Sequence, residues 1–567
     1  MPPALDELVT ALICQDPLGR PRSAAEVADR LTAIGQLDAP DVDLARGYIA
    51  SAALIGRASE MKRIRRTLGK ASTGEGGMLV IDAPSGVGKS RLLRESLFEA
   101  QLAGCTVVSA SSDSAGHGPY GLFREIARDL LGRAEDDTLE AARPDAAALA
   151  AVIPELRVPL APELAKQVDE GITDPAEERL RAQTAINRWM LRIATKRPLA
   201  VLVDDVQRCD EASLAVLMGL SYANRAYPML LLLALRSDEA PRYPELVTSL
   251  RNASTPIKLR GLGLSDTEDF VRALFGDVPR VNSLARWLHG VTKGSPLHMS
   301  EVAQYIVSKG IVSYHEGMWV LPTQYEAIAI PDGLRGAMDA RMALLGDEER
   351  RLAEALAMHG GQLDLQLAVD LADDGEPDAV FVHLRTLMEE QVLVGSQEAF
   401  RFRHDGVREA LLRAVEGARE RELHLRVARV IDGSRGIPDD RRLEVGWHYL
   451  HGGDRERGVA LLEKAGRALF DAQAMRDALE PIETAILHYR EVGERSYAYL
   501  ELLYMVVMAG SISDRRVALR YLEETLDLYQ RKAGISFAKA AGKIVGRHVG
   551  LALGVLTSVL RWVVTPK

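Results

Sequence analysis

The stretch GMLVIDAPSGVGKSRLLR, residues 77–94, decides the fold of this chain. Its apolar start at 78–81 predicts a buried strand, and small residues then lead into a helix that begins near Ser90. The run APSGVGKS at 83–90 has the spacing of a phosphate-binding loop, with alanine in place of the first glycine. The sequence therefore predicts a strand, a phosphate-binding loop and a helix, in that order.

The loop predicts binding of a nucleoside triphosphate. Small residues let backbone N–H groups turn toward a phosphate, and the helix N-terminus adds further donors and partial positive charge. Lys89 can reach the β- and γ-phosphates, and the Ser90 hydroxyl can be a ligand of Mg²⁺. We therefore expect ATP or ADP and Mg²⁺ as cofactors. The residues of this loop expected to contact nucleotide are Ala83, Pro84, Ser85, Gly86, Val87, Gly88, Lys89, Ser90 and Arg91.

Length and composition limit the class of protein. A chain of 567 residues is too long for one hydrophobic core, so we expect several domains. Apolar residues make up 47% and charged residues 26% of the chain, which is typical of globular proteins. The formal net charge of −10 gives no overall attraction to nucleic acid, and we expect no nucleic-acid partner.

The cysteines and the first residues bear on the cellular compartment. Cys14, Cys105 and Cys209 are far apart and odd in number, which fits neither a disulfide framework nor a set of metal ligands. No positively charged segment followed by an apolar run opens the sequence, so we expect no signal peptide. Both features favour a cytoplasmic location.

A second motif supplies acidic residues. The apolar run at 198–203 predicts a strand that ends in Asp204 and Asp205. In phosphoryl-transfer enzymes with such a loop, an acid at this position holds Mg²⁺ and a neighbouring group positions the attacking water. We expect Asp204 to be a metal ligand together with Ser90, and Asp205 to orient or deprotonate water.

Further apolar runs near residues 106, 231 and 258 predict three more strands, separated by helices. Five strands in this alternation favour a parallel, doubly wound α/β sheet. Arg236 follows the run near 231, where a basic group can sense the γ-phosphate, and a surface arginine is the alternative. The predicted catalytic residues are Asp205, Lys89 and Arg236.

The chain after the sheet is predicted to be largely helical. We expect a helical lid at 263–345. A winged-helix-like domain is expected at 346–418, because helices there are followed by two short apolar runs at 391–394 and 399–402 that suit a wing hairpin.

The C-terminal region has weak internal repetition. Residues 419–532 show turn-then-helix units after Gly453, Ala474 and Gly510, which favour TPR-like hairpins, with a plain helical bundle as the alternative. Such an array would bind a protein partner. The basic and apolar tail at 533–567 has too short an apolar run for a bilayer span of ~20 residues, so we expect it to pack on the array rather than contact a membrane.

Together these motifs resemble those of the STAND-type AAA signalling ATPases, which occur in bacterial multidomain kinases, adenylate cyclases and LuxR-type regulators. The resemblance spans about residues 50–470. The shared motifs, in chain order, are the loop at 83–90, Asp204-Asp205, Arg236, Gly294-Ser295-Pro296 and Phe402-Arg403-His404-Asp405.

The resemblance implies that Pro296 packs against adenine and that His404 contacts ADP, although His404 could equally be a core or surface histidine. It implies a switch that ADP holds closed and that ATP with an inducer opens, which permits homo-oligomers to form. Two features depart from the family. The chain has Arg-Cys-Asp at 208–210, where the family usually has tryptophan before the acid, and Gly-Ser-Pro at 294–296 in place of Gly-Asn-Pro.

The N-terminal region shows two further resemblances. Residues 1–45 resemble the last two helices of the C-lobe of a bacterial Ser/Thr protein kinase, and a plain helical hairpin is the alternative. The matching residues are Asp16, Pro17, Arg20, Pro21, Ser23 and Ala24. The catalytic loops of a kinase are absent from the sequence. LIGRASE at 54–60 resembles the turn that packs beside adenine in an AAA-type core, which we place at 46–262.

These inferences favour an ATP-binding signalling switch with slow, Mg²⁺-dependent hydrolysis that resets it. One alternative is a helical scaffold that nucleotide stabilises without turnover. Another is the regulatory part of a Ser/Thr protein kinase whose catalytic domain lies outside this sequence. A DNA-binding regulator is disfavoured, because the chain is acidic and no helix-turn-helix follows the helical array.

Overall fold

The structure is a computed structural model that describes residues 54–533 with short gaps. The gaps are 113–117, 165–174, 316–317, 323, 326–338, 340–341, 343–344, 361–362, 373–375, 396–398, 404, 434–436, 438–440 and 473. The kinase-like hairpin predicted at 1–45, His404 and the tail beyond residue 533 therefore lie outside the described residues.

The described residues form two compact units. The larger unit comprises 59–85, 89–259 and 346–533, and the other comprises 54–58, 86–88 and 260–345. The tip of the phosphate-binding loop, 86–88, thus belongs to the same unit as the predicted lid.

A five-stranded parallel sheet forms the centre of the larger unit. The strands are β1 (Gly77–Ala83), β2 (Thr106–Ser111), β3 (Leu199–Asp204), β4 (Met229–Arg236) and β5 (Thr255–Lys258), in the spatial order β2-β3-β4-β1-β5. The predicted parallel sheet is confirmed. Since all strands run in one direction, the residues that follow β1, β3 and β4 lie at the same edge of the sheet.

Helices lie around the sheet, and several of them share one hydrophobic core with its strands. They are α1 (Ala58–Ser72), α2 (Lys89–Leu102), α3 (Gly121–Ala142), α4 (Ala146–Val152), α5 (Ala161–Leu164), α6 (Pro175–Lys196), α7 (Glu211–Ala223) and α8 (Pro244–Ala253). Trp189 of α6 is fully buried, and its indole N–H donates to the Thr138 carbonyl of α3 at 3.1 Å. Asp210 caps α7, because its carboxylate accepts the Ser213 N–H at 2.8 Å.

The smaller unit consists of helices and a β-hairpin, and a role of residues 263–345 as a lid stays a prediction. Its elements are α9 (Leu264–Phe275), α10 (Val281–Thr292), α11 (Pro296–Ser308), β6 (Ser313–His315) and β7 (Met318–Val320). The two strands pair antiparallel. Phe275 and Trp319 meet edge to face with ring centroids 5.1 Å apart, which ties the hairpin to α9.

A group of short helices with a second hairpin follows in the larger unit. Its elements are α12 (Asp347–His359), α13 (Leu365–Leu371), α14 (Pro377–Glu389), β8 (Leu393–Gly395), β9 (Phe400–Phe402) and α15 (Asp405–Ala414). β8 and β9 pair antiparallel, with Leu393 opposite Phe402. The predicted wing strands therefore pair as a hairpin, and a winged-helix domain at 346–418 stays a proposal.

Six consecutive helices form an array in which each helix packs against the next. They are α16 (Gly417–Asp432), α17 (Arg442–Gly452), α18 (Arg455–Asp471), α19 (Met475–Glu491), α20 (Tyr497–Ser513) and α21 (Arg515–Ala533). The turn predicted at Gly510 is wrong, because α20 continues to Ser513. A Cβ atom at Gly510 would lie 2.7 Å from the Ala518 backbone nitrogen, so this glycine allows close helix packing instead of a turn.

None of the helices in the described part of the chain combines the length and the apolar character that a membrane crossing requires.

Candidate nucleotide site

The phosphate-binding loop leaves β1 at the carboxyl edge of the sheet. Ala83 is the last residue of β1, is buried, and pairs with Arg236 of β4, so this position is an extended strand residue and tolerates alanine. Gly86 and Gly88 have φ angles of +79° and +100°, which side-chain-bearing residues rarely adopt. A Cβ atom at Gly88 would meet nothing within 4 Å, so the loop backbone is open there to a ligand.

Lys89 is the buried first residue of α2. Its ammonium group donates to the carbonyl oxygens of Ala83 at 3.1 Å and Pro84 at 3.0 Å. Burial lowers the pKa of Lys89, and the nearby Asp205 carboxylate opposes that shift. The Lys89 ammonium group can therefore donate to phosphate oxygens in place of these two carbonyl oxygens when a nucleotide binds.

Ser90 and Asp204, the two predicted metal ligands, meet at the edge of the sheet, and their binding of a metal stays a prediction. The Ser90 hydroxyl donates to the Asp204 carboxylate at 2.6 Å. Burial, and then the Asp205 charge, raise the pKa of Asp204. No group of three or more His, Cys, Asp or Glu side chains suited to a metal ion occurs among the described residues. The hydroxyl of Ser90 and the carboxylate of Asp204 fit Mg²⁺, since that ion prefers oxygen ligands and takes the others from phosphate and water.

Asp205 follows β3 in a left-handed backbone conformation, with φ +51°. Its N–H donates to the Asp204 carboxylate at 3.0 Å, so the two acids are held in a fixed relation. The side-chain amide of Gln207 donates to the Asp205 carboxylate at 2.9 Å. Gln207 is only 1% exposed, and no sequence motif predicts a role for it. A buried amide aimed at a carboxylate is an orienting contact.

Arg236 ends β4 at the same edge of the sheet. Its guanidinium Nε lies 3.4 Å from the Glu239 carboxylate and 4.0 Å from that of Asp238. Arg236 pairs with Ala83, whose carbonyl accepts from the Lys89 ammonium, so the two cations lie near each other, and the charge of Arg236 helps to lower the pKa of Lys89. The structure thus brings Arg236 to the predicted phosphate site, while its role as a γ-phosphate sensor stays a prediction.

A further acid, which was not predicted from the sequence, contacts the loop. Asp238 accepts the N–H of Ser85 at 3.0 Å. No sequence motif marks this residue, because the contact depends on β4 lying beside β1. Asp238 and Glu239 both follow the strand that carries Arg236, so three charged groups leave one strand end.

Within the smaller unit, other residues donate hydrogen bonds to the backbone carbonyls of the loop tip. Arg57 is buried, and its guanidinium donates to the carbonyl oxygens of Val87 at 2.9 Å and Arg260 at 2.7 Å. The Ser295 hydroxyl and the Leu297 N–H both donate to the Gly86 carbonyl at 3.1 Å. The turn predicted to lie beside adenine therefore supports the loop tip through Arg57.

The Gly-Ser-Pro turn at 294–296 begins α11. Ser295 is the N-cap of this helix and Pro296 is its first residue, a position that suits proline. Gly294 has φ +73°, and a Cβ atom there would lie 2.1 Å from the Leu262 carbonyl oxygen. Serine in place of the family's asparagine keeps a capping oxygen. Pro296 is half-buried, and its packing on adenine stays a prediction.

Comparison with known proteins agrees with this geometry. Residues 53–232 match the family model of the AAA ATPase domain. The matched segment contains the phosphate-binding loop, Asp204 and Asp205, and it ends before Arg236. The core therefore has both the sequence pattern and the fold of an AAA-type P-loop NTPase.

Similar proteins over a longer span are more distant. An uncharacterized protein of Rhizobium meliloti is 24% identical over 534 residues, which cover 89% of this chain and 48% of that protein. The chain thus spans about half the length of this curated relative.

Two solved structures are also similar. A signal transduction ATPase with numerous domains (STAND) and a tetratricopeptide repeat sensor, from Pyrococcus horikoshii, has a TM-score of 0.45 and 15% identity, with 85% of this chain and 65% of that chain covered. The ORC2 protein of Aeropyrum pernix has a TM-score of 0.31 and 13% identity, with 64% of this chain and 96% of that chain covered.

Proposed function

We propose that this chain is a regulatory ATPase that binds Mg·ATP at the 83–90 loop and hydrolyses it slowly. The observation that supports this most directly is the 2.6 Å contact between Ser90 and Asp204, with Asp205 held beside them. A strand–loop–helix turn without a nucleotide site does not require a hydroxyl and two acids at the same edge of the sheet.

Binding rests on the loop and its lysine. The N–H groups of a loop with two left-handed glycines can turn toward the β- and γ-phosphates. Lys89 neutralises part of their charge with a buried ammonium group. Ser90 and Asp204 would hold Mg²⁺, and the bound ion would supply further charge neutralisation at the phosphates.

Turnover rests on Asp205. We assign it the orientation of water and the acceptance of its proton, because its carboxylate follows the strand that ends in Asp204. Gln207 holds that carboxylate in one direction. Arg236 is placed to stabilise charge on the γ-phosphate, a role that requires its guanidinium to move from Glu239 toward the phosphate.

The regulatory part of the proposal concerns the state of the nucleotide. ADP and ATP would favour different conformations, and the helical array of α16–α21 would bind a protein partner in one of them. Homo-oligomers in the ATP state and a role beside a Ser/Thr kinase belong to the same proposal. The likeness of the motifs to STAND-type ATPases supports it.

The test is steady-state ATP turnover by the full chain and by Asp205→Asn. Loss of a general base lowers kcat by about 100-fold with an unchanged KM for ATP. Asp347→Asn is the control, because that carboxylate is a surface partner of Arg350. Equal turnover by wild type and Asp205→Asn would overturn the assignment. Tight Mg·ATP binding with no turnover in wild type would instead identify a nucleotide-stabilised scaffold.

A further inference from the structure

The segment 236–243, here called the strap, joins β4 to α8 within the larger unit. One end of the strap contacts the residues around Asp205. Its other end contacts the helical array. The strap is therefore a direct physical connection between the proposed catalytic acid and the array.

Gln207 fixes the catalytic end of the strap. Its side-chain oxygen accepts the Arg236 N–H at 3.1 Å, and its backbone carbonyl accepts the Arg242 N–H at 2.9 Å. Its amide nitrogen donates to Asp205 at 2.9 Å and to Glu239 at 3.1 Å. Gln207 thus uses its amide oxygen, both amide hydrogens and its carbonyl, so a movement of the strap changes its contact with Asp205.

Asp477 fixes the other end. It lies near the start of α19, and its side chain is 8% exposed. Arg242 of the strap approaches its carboxylate at 2.6 Å, and the Tyr243 hydroxyl donates to the same oxygen atom. The Arg476 guanidinium lies 5.5 Å above the Tyr243 ring. Two successive strap residues therefore attach to one acid of the array.

The energetics favour a firm attachment at Asp477. A buried carboxylate is costly unless cations and hydrogen-bond donors surround it, and removing one partner leaves the penalty in place. Burial raises the pKa of Asp477, and Arg242 and Tyr243 oppose that shift. The side chain of Arg242 is held by the array while its N–H holds Gln207.

We propose that Asp477 and Gln207 are positioning residues for Asp205. Docking of α19 on the strap holds Arg242, Arg242 holds Gln207, and Gln207 holds the Asp205 carboxylate. The inference rests on the proposed ATPase function for its kinetic readout. It assigns to the helical array a direct effect on turnover, in addition to partner binding.

The test compares Asp477→Asn with a matched control in the full chain. Glu524→Gln changes an equivalent group, since the Glu524 carboxylate accepts from both Tyr499 and Arg490 but lies within the array. We expect Asp477→Asn to lower kcat by about tenfold with an unchanged KM for ATP, because misplacing a catalytic group slows the chemical step. Glu524→Gln keeps the wild-type kcat.

Amide hydrogen exchange of the strap gives a readout that needs no turnover. In Asp477→Asn the Arg236 and Arg242 amides exchange faster, because both donate to Gln207. The milder Tyr243→Phe variant, which keeps the ring and removes the hydroxyl, gives a smaller change in the same direction. It also tests the proposal if Asp477→Asn fails to fold.

A double-mutant cycle with Gln207→Ala completes the design. If both residues act through Asp205, the double variant has the kcat of the slower single variant. Unchanged exchange of the strap amides in Asp477→Asn, or multiplicative losses of kcat in the cycle, would overturn the inference. Suppose that the strap amides exchange faster in Asp477→Asn but wild type does not turn over ATP. The ATPase function is then rejected, and the coupling between the helical array and the strap is retained.

Discussion

Gln207 follows β3, is buried, and connects the Asp205 carboxylate to the backbone of Arg236 at the end of β4. Its partners Arg236, Glu239 and Arg242 lie about thirty positions away along the chain. A glutamine two positions after an acid is ordinarily a surface residue. Its burial and its contact with Asp205 depend on β3 and β4 being neighbours, which a local pattern does not contain.

The convergence of Lys89, Ser90 and Asp204, by contrast, was predictable from residue type and spacing, while their roles stay a proposal. The loop motif ties the first two to the start of a helix, and an apolar run ending in an acid marks the third. Their chemistry needs only that β1 and β3 end at the same edge. Parallel strands guarantee this arrangement.

Gly294 offers a prediction at the residue scale. Gly294→Ala should destabilise the smaller unit by about 2 kcal/mol or more, because alanine is strained at φ +73° and its Cβ would lie 2.1 Å from the Leu262 oxygen. Urea denaturation measures the change. Gly290→Ala is the matched control, because the site is exposed in α10 and a Cβ atom there meets nothing within 4 Å. Equal stability of the two variants would show that the backbone at Gly294 does not require glycine.

At the scale of elements, the strands of the core were the most predictable. β1, β3 and β4 are nearly continuous runs of buried apolar residues, as parallel strands covered on both faces require. The turn placed at Gly510 was wrong for a physical reason. Glycine marks a turn in isolation, whereas in α20 it makes room for a neighbouring helix, and only the tertiary packing separates these uses.

A cluster of histidines lies where α12 meets α16 and α17. The His359 imidazole accepts from the Arg441 guanidinium at 3.1 Å, which requires its neutral form. The Nδ1 atoms of His424 and His448 are 2.9 Å apart, so one of them must be an acceptor. Burial and then neighbouring cations lower the pKa of His359 to about 4, and burial and then His424 lower that of His448 to about 3.

This cluster predicts acid sensitivity. A histidine with a folded-state pKa below its unfolded value stabilises the fold above about pH 6.5, and the contribution is lost as the pH falls below that value. Between pH 7 and pH 5 each of His359 and His448 should cost about 2 kcal/mol of unfolding free energy. Urea denaturation at both pH values measures the loss.

His448→Gln tests that assignment. The glutamine does not titrate, so the decline in stability between pH 7 and pH 5 becomes smaller by the share of one histidine. His488→Gln, outside the cluster, serves as the control. An unchanged pH dependence in His448→Gln would show that burial of this imidazole does not govern acid stability.

For the whole molecule, the connection from the sheet edge to the helical array was not predictable. Tyr243 and Asp477 are 234 positions apart, and neither belongs to a motif. The strap is an ordinary loop by sequence. Its proposed role depends on its contacts with Gln207 and Asp477, which are distant in sequence and meet the strap only in the folded chain.

The central claim is that this chain binds Mg·ATP through the loop at 83–90. Isothermal titration of Mg·ATP into the full chain and into Lys89→Ala tests it most directly, with the exposed Lys70→Ala as the matched control. We expect one site per chain and a loss of affinity of about 100-fold in Lys89→Ala, because its charge-assisted bonds to phosphate are gone. Lys70→Ala should bind like wild type. Absence of Mg·ATP binding in wild type, or equal affinity in Lys89→Ala, would show that the loop at 83–90 is not the nucleotide site.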